Sequence, residues 1–548
     1  MKRLTVILLA LFVLTGCATC EKPPMSSEAP ARTTAETTKD TNEILIQLSD
    51  TDIKTKSLNI FASNDIIYYE DKDFYESGNP YGEGGDADKH SAEEAEKHIV
   101  VNITKPGAYR VTGKLSAGQI RVDLGEDAYD DPNAVVELIL DNADITCTVA
   151  PAILFLNVYE CDGAWSEDTA RPDVDTSRAG ANLILEGENT VSGSYVAKIF
   201  KDKNGEKKLW KQDGAIYSYM SMNVYGPGSL DLTAENEGMD TELHLTIHGG
   251  DIAIRSGNDG INTNEDNVSV TTINGGKLHV MAGLGAEGDG IDSNGYLVIN
   301  GGTVVSTAHP ASDAGLDSTC GSFIHGGTVI ALGSTMDWAE SDSEQVTMNL
   351  QFAAYQAPTA SIVMKAEDGT EVFSYDPAHD AVLGDNARQF MGAVISCPKF
   401  AQGETYELYV GGQQMQYTGT DIRRGPGGFG GFGGDFPDNA PPEGFDGERP
   451  QWPDGEMPDN APPEGFEGFT GQMPEDWTPG QKGERPKDFN GQRPKGFEGK
   501  MPEGFEGFNG EMPGGFGGHG GQPAGEGSTL FYMQDKVNCF SGITVANK

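Results

Sequence analysis

A phrase that returns every 25 or 26 residues constrains this chain more than anything else in it. Strand-like runs open after Gly-rich corners at Gly228-Ser-Leu-Asp-Leu232, Gly249-Gly-Asp-Ile-Ala-Ile254, Gly275-Gly-Lys-Leu-His-Val280, Gly301-Gly-Thr-Val-Val305 and Gly326-Gly-Thr-Val-Ile330. From Gly250 through Gly276 and Gly302 to Gly327 the steps are 26, 26 and 25 residues. A second phrase lies between the runs: Gly238-Met-Asp-Thr241, Gly260-Ile-Asn-Thr263, Gly290-Ile-Asp-Ser293 and Gly315-Leu-Asp-Ser318. A fixed period of this length marks a solenoid, in which each unit buries its apolar face only against its neighbours. The runs alternate with period two, so Ile252 and Ile254 share one face while Asp251, Ala253 and Arg255 share the other. A leucine-rich repeat would need a Leu-x-x-Leu-x-Leu frame, which is absent. The pattern predicts an all-β, right-handed parallel β-helix, with Ile252, Leu278, Val304 and Val329 stacked inward. Glycine supplies the positive φ of its tight corners.

Regular β signals begin at His98 and run through Ile99-Val-Val-Asn-Ile103, Tyr109-Arg-Val-Thr-Gly113, Gln119-Ile-Arg-Val-Asp123, 135–140, 152–157 and Leu183-Ile-Leu-Glu-Gly-Glu-Asn-Thr-Val191. These are less regular coils of the same solenoid. Residues 44–48 and 58–61 suggest a strand pair ahead of them. Residues 196–211 are a basic, polar insertion expected to form a hairpin loop. After residue 345 the period stops, and short strands at 346–352, 361–364, 371–375, 392–396 and 405–410 suggest a small antiparallel β unit closing the solenoid. Residues 529–533 and 540–545 are expected to complete it. Between them lies a low-complexity insertion in which Pro437-Asp-Asn-Ala-Pro-Pro-Glu-Gly-Phe445 returns 21 residues later. Gly and Pro dominate it and aliphatic residues are nearly absent, so it has no core to fold around. The expected boundaries are 1–16 signal peptide, 17–43 flexible tether, 44–340 β-helix, 341–424 C-terminal β unit, 425–527 disordered insertion and 528–548 closing strands.

The N-terminus carries Lys2-Arg3, an apolar run over 4–14 and Leu14-Thr-Gly-Cys17. A basic start and a short apolar core describe a secretory signal, and the run is too short to span a bilayer. Leu-Thr-Gly-Cys resembles the bacterial lipobox, which implies cleavage before Cys17 and lipid on its thiol. The expected location is extracytoplasmic, at the bacterial cell surface, with a membrane contact only through that lipid. The chain holds 84 acids against 38 bases, a formal charge of −46. Nucleic acid and anionic lipid are therefore poor partners, since phosphate binding needs Lys and Arg. Of the seven cysteines, only Cys17 and Cys20 are spaced Cys-x-x-Cys, and the lipobox claims Cys17. Cys147 and Cys161 are available for a disulfide in an exported protein.

Ile103-Thr-Lys-Pro-Gly-Ala-Tyr-Arg-Val-Thr-Gly-Lys-Leu-Ser-Ala-Gly-Gln-Ile120, Leu138-Ile-Leu-Asp-Asn-Ala-Asp-Ile-Thr146 and the Gly-Ile-Asp-Ser coils together resemble one family. It is the carbohydrate-binding β-helix family of bacterial, often clostridial, cell-surface proteins. The resemblance covers roughly residues 45–420 and the final twenty. It implies a pectate-lyase-like fold and binding of calcium, cellulose and acidic pectic sugars, without an established lyase activity. The insertion at 425–527 departs from the family core, so its role does not carry over.

The residues argue for a metal independently. Aligned on Gly260, Gly290 and Gly315, the preceding residue is Asp259, Asp289 and Ala314, and the second residue after is Asn262, Asp292 and Asp317. The coil before offers Glu237 and Asp240. Equivalent positions in stacked coils lie about 4.8 Å apart, so a file of carboxylates repels itself. Ca²⁺ accepts about six to eight oxygens in loose geometry and relieves that repulsion. Asp and Asn also favour turns through bonds to their own backbone, which explains any single Asp-Gly. Four coils in register favour calcium. The best cluster is Asp259, Asp289 and Asp292, flanked by Asp240 and Asp317, with Glu237 and Asn262 in the same slots. Asp313 stands ready to replace the acid missing at Ala314.

A β-helix lyase needs a positioned base beside the calcium, and a hydrolase needs clustered acids for acid–base work. Within 213–335 the only Arg and Lys are Arg255 and Lys277. Both fall on the outward side of a strand, where such residues are usually only solvated. Either could bind a sugar carboxylate. His248, His279, His309 and His325 sit in non-equivalent contexts and form no triad. Trp165, Trp210 and Trp338 are candidate sugar-stacking platforms, or caps on hydrophobic ends. The sequence favours a non-catalytic, calcium-dependent binder of acidic or cellulosic polysaccharide. The alternatives are a pectate-type lyase and a protein-binding surface adhesin or scaffold.

Overall fold

The computed structural model describes residues 43–51, 53–68, 90–161, 163–164, 166–196, 199–201, 207–209, 211–311, 313–420 and 527–547. Cys17, the tether, Trp165, Trp210 and residues 425–526 of the insertion lie outside the described residues. The chain divides into one unit up to Glu43, of which only Glu43 is described, and a second unit from Ile44 onward.

In the second unit the period-two runs pair with the equivalent runs of the next coil. They build three ladders of parallel strands. The first comprises Ile99–Ile103, Gly118–Asp123, Ile153–Asn157, Gly214–Ser218, Glu237–Thr241, Ile261–Thr263, Ile291–Ser293 and Leu316–Ser318. The second comprises Gly107–Leu115, Val136–Thr146, Ala181–Glu186, Met222–Tyr225, Leu245–Ile247, Val270–Ile273, Tyr296–Ile299 and Gly321–Ile324. The third comprises Glu188–Gly193, Ser229–Ala234, Asp251–Ser256, Lys277–Met281, Thr303–Thr307 and Thr328–Gly333. The described residues are thus nearly all β, arranged as a β-helix-like solenoid.

Register follows the hydrophobic pattern, because a slip of one residue would turn every apolar side chain outward. Ile252, Leu278, Val304 and Val329 pair in succession and are buried, as the alternation predicts. Met239, Ile261, Ile291 and Leu316 do the same on the first ladder. The Ser or Thr that ends each second phrase is also buried. Thr263 and Ser293 bond hydroxyl to hydroxyl at 2.8 Å, and Ser318 meets Ser322 at 2.9 Å. The corners therefore satisfy their polar atoms inside the core, as burial requires.

The third ladder ends where Thr328–Gly333 takes Phe390–Ser396 as an antiparallel partner. Phe390–Ser396 also pairs antiparallel with Thr347–Gln356, which takes Val537–Val545 in parallel. A second core of Leu350, Phe352, Phe390, Phe531 and Phe540 forms there. Ile199–Lys201 and Lys207–Leu209 pair antiparallel, as expected of a hairpin in the insertion.

Two expectations are corrected. Ile44–Leu48 does not pair with the 58–61 region; it joins Gly107–Leu115 in parallel, while Ile60–Ser63 pairs antiparallel with Ile99–Ile103. Ile46 and Leu48 thereby enter the main core, which outweighs a local hairpin. Cys147 is a buried thiol and is not bridged to Cys161. Burial pushes that thiol up to about 12, so it stays protonated and inert.

Candidate metal centre

The first ladder turns its apolar residues inward, so the intervening residues form an outer file. Tyr217, Asp240, Asn262, Asp292 and Asp317 are successive partners in it. A second file starts the same strands. Backbone bonds from Gly238 N to Asp259 O (3.0 Å), Gly260 N to Asp289 O (3.0 Å) and Gly290 N to Ala314 O (2.9 Å) place Glu237, Asp259, Asp289 and Ala314 in register. The sequence alignment of the acids is therefore the alignment in space.

Where the acids converge differs from the expectation. Among the described residues, the group whose ligand oxygens lie within 4.8 Å of one another is Asp213, Glu237 and Asp240, all buried. The expected trio of Asp259, Asp289 and Asp292 lies further along the same files. Asp213 was missed, although Asp213-Gly214 repeats the Asp-Gly of 259–260 and 289–290 two coils before the first of them. Lys211, assigned by sequence to the insertion, reaches back into this group. Its Nζ lies 2.8 Å from Asp213 Oδ2 and donates to Asn264 Oδ1 at 3.3 Å. Asn264 Nδ2 donates to Asp240 Oδ1 at 2.6 Å, and Asn262 Nδ2 donates to Asn264 Oδ1 at 3.3 Å.

This network leaves three buried oxygens without a hydrogen-bond partner: Glu237 Oε2, Asp240 Oδ2 and Asn262 Oδ1. An orphaned buried acceptor costs about 1–3 kcal/mol, more when charged. One ammonium against the three carboxylates also leaves excess negative charge. A donor set of carboxylate and amide oxygens fits a hard, oxygen-seeking cation such as Ca²⁺. Without a cation the charge is relieved by protons. Burial, and then Glu237, push Asp240 well above the usual carboxylate range.

The neighbouring acids share the strain. Asp259 is pushed well up by burial and by Glu237, Asp292 and Asp289, and Asp292 by burial, Asp317, Asp289 and Glu237. Burial and Asp317 push Asp289 up to about 8. Asp259 and Asp289 also serve the turns. Asp259 Oδ1 accepts Asp289 N at 2.7 Å, and Asp289 Oδ1 accepts Ala314 N at 2.5 Å. Each carboxylate thus ties one coil to the next while adding charge to the file. Asp313 accepts Gly288 N at 3.0 Å, faces His309 Nδ1 at 3.6 Å and adds its charge to that around Asp289. Asp317 and Asp292 keep part of their surface accessible.

Arg255 and Lys277 point outward, but on the third ladder. Arg255 pairs with Asp231 at 2.5 Å and donates through Nε to Val382 O at 3.1 Å; Lys277 pairs with Asp251 at 2.9 Å. Trp338 is half-buried and packs against the main core. His248 and His325, which sequence context set apart, occupy equivalent places. Each follows the last residue of a second-ladder strand and precedes a Gly-Gly corner.

A β-helix-like solenoid with a buried, oxygen-lined acidic group on one ladder defines the class of this molecule. The chain belongs to the family of carbohydrate-binding domain-containing proteins, whose family model matches residues 97–399 and so covers the stacked coils. A carbohydrate-binding domain-containing protein of Acetivibrio thermocellus is 28% identical over 157 residues, which are 28% of this chain and 45% of that relative. The chain thus spans less than half the length of the curated relative it matches. A solved polysaccharide lyase-like protein from C. thermocellum, a gadolinium derivative, aligns with a TM-score of 0.32 at 20% identity. That alignment covers 52% of this chain and 92% of the other.

Proposed function

We propose that this protein is a non-catalytic, calcium-dependent polysaccharide-binding protein, built on a right-handed parallel β-helix and held at the bacterial surface by lipid on Cys17. The observation that carries it is the set of orphaned buried oxygens of Glu237, Asp240 and Asn262, beside Asp213, within the stretch that matches the carbohydrate-binding family. These four residues would hold the ion. When bound, it would offset the charge of Asp213, Glu237 and Asp240 together with Lys211, and would itself attract a sugar carboxylate. The acidic polysaccharide reading follows from that charge complement.

The mature protein without its lipid should be retained on insoluble polygalacturonate in calcium and released by a chelator. Asp240→Asn should lower retention in calcium to the chelator level. An intact protein retained on no glycan, but captured by surface proteins, would overturn the reading in favour of a scaffold. One second reading is a pectate-type lyase, for which Lys211, the cation placed among these acids, would be the candidate base once released from its ion pair with Asp213. An unsaturated product released from polygalacturonate, and lost in Lys211→Met, would establish it. The anchor is tested separately. Labelled palmitate should enter the wild-type protein in cells, and Cys17→Ser should abolish the label; equal label in both would remove the anchor from the proposal.

A further inference from the structure

The corner that leads out of the second ladder carries a file of its own. Tyr225, His248, Asn274, Asn300 and His325 each follow the paired residues Val224, Ile247, Ile273, Ile299 and Ile324, so they stack in five successive coils. Backbone bonds from His248 N to Val224 O, Asn274 N to Ile247 O, Asn300 N to Ile273 O and His325 N to Ile299 O, each 2.8 Å, fix the stack. At an inter-strand step of about 4.8 Å the file is about 19 Å long, the length of a short run of sugar rings.

Its chemistry differs from the rest of the molecule. The chain carries a formal charge of −46, yet none of these five residues is Asp, Glu, Lys or Arg. Tyr225 and His248 stack with ring centroids 4.4 Å apart and planes 7° from parallel. At the other end His325 lies over Phe323 (6.3 Å, 24°), which approaches Tyr296 (6.4 Å). Between the rings, Asn300 Nδ2 donates to Asn274 Oδ1 at 2.8 Å, and Asn274 Nδ2 lies 3.5 Å from His248 Nδ1. Amide ladders of this kind stabilise stacked strands when buried between sheets. Here His248, Asn274 and Asn300 are exposed, so the ladder that ties the coils also presents polar edges to solvent.

Aromatic rings at both ends of a run of amides suit a pyranose chain. Ring faces take the apolar C–H faces of sugars, and each amide offers two donors and an acceptor to hydroxyls. A charged sugar gains nothing here, because none of the five residues is a Lys or Arg to pair with its carboxylate. The geometry points to a second, calcium-independent binding surface along Tyr225, His248, Asn274, Asn300 and His325 that takes an uncharged polysaccharide chain. This inference rests on the carbohydrate-binding reading but not on the acid files, which belong to the first ladder.

The test compares retention of the wild type and H248A/N274A on insoluble cellulose, xylan and mannan, and on polygalacturonate, with calcium and with chelator. The expected result is retention on at least one uncharged glycan that chelation leaves unchanged, about tenfold weaker in the double variant. Retention on polygalacturonate should not change. Melting temperature controls for folding, and Asn300→Ala serves if the double variant is unstable. Equal retention of variant and wild type, absence of binding to any uncharged glycan, or equal loss on polygalacturonate would each overturn the inference. A wild type that holds the uncharged glycan but shows no calcium-dependent retention on polygalacturonate would instead remove the earlier reading and leave this surface standing.

Discussion

Calcium should raise the melting temperature of the chelated protein by several degrees, and Asp240→Asn should remove most of that rise. An ion at one hundred times its Kd stabilises a folded state by about 2.7 kcal/mol when the unfolded chain does not bind it. The orphaned oxygens of Glu237, Asp240 and Asn262 are the groups that gain. The pH dependence gives the sign. Asp240, Asp259, Asp289 and Asp292 are all raised above their ordinary 3.8 when folded, Asp289 to about 8. Through that window the chelated folded state holds protons that the unfolded chain has lost. Stability therefore falls as pH rises, and for Asp289 the fall spans about pH 4 to 8. Calcium should flatten the fall, since the bound carboxylates are already ionised. Asp240→Asn removes an acid that in chelator must be held protonated against the solution or buried as an anion, so this variant should melt higher than wild type in chelator at pH 8 and gain little from calcium. Identical melting of the wild type in calcium and chelator from pH 5 to 8 would sink the metal assignment.

Gly276→Val should cost several kcal/mol and broaden unfolding. Gly276 sits at φ +82° in the corner before Lys277–Met281. A Cβ there would lie 2.6 Å from Gly250 O, a backbone atom of the preceding coil that no rotamer change can move aside. Left-handed backbone in a β-branched residue costs on the order of 1–3 kcal/mol, and forced repacking adds about as much. In a solenoid the damage also lies at an interface between coils, and stability there is close to a sum over neighbouring interfaces. The two sides should then unfold less cooperatively. A variant that melts within two degrees of wild type would show that the corners tolerate more rearrangement than their close stacking allows.

The metal group and the corner were legible to different degrees. The Gly-Gly period announced the corners, and Ile252, Leu278, Val304 and Val329 lie inward as the alternation demands. Asp259, Asp289, Asp292 and Asp317 also fall in register as the repeats align. The convergence on Asp213 was not legible, because Lys211 ends the insertion and Asp213 directly follows it, where no period predicts spacing. The kinship of His248 and His325 was legible, since both stand in an Ile-His-Gly-Gly stretch, although the residues further out differ.

The sequence by itself determined the repeating coil, its inward residues and its acidic files. These depend on alternation and on glycine corners, which are local and repeat with the chain. Tertiary structure alone decided that Ile44–Leu48 extends the second ladder, and that Arg255 and Lys277 lie on a different ladder from the acids. It also decided which carboxylates lose their water. Burial and the approach of Lys211 and Asn264 come from segments whose placement depends on packing across coils, where desolvation sets the charge state of each acid.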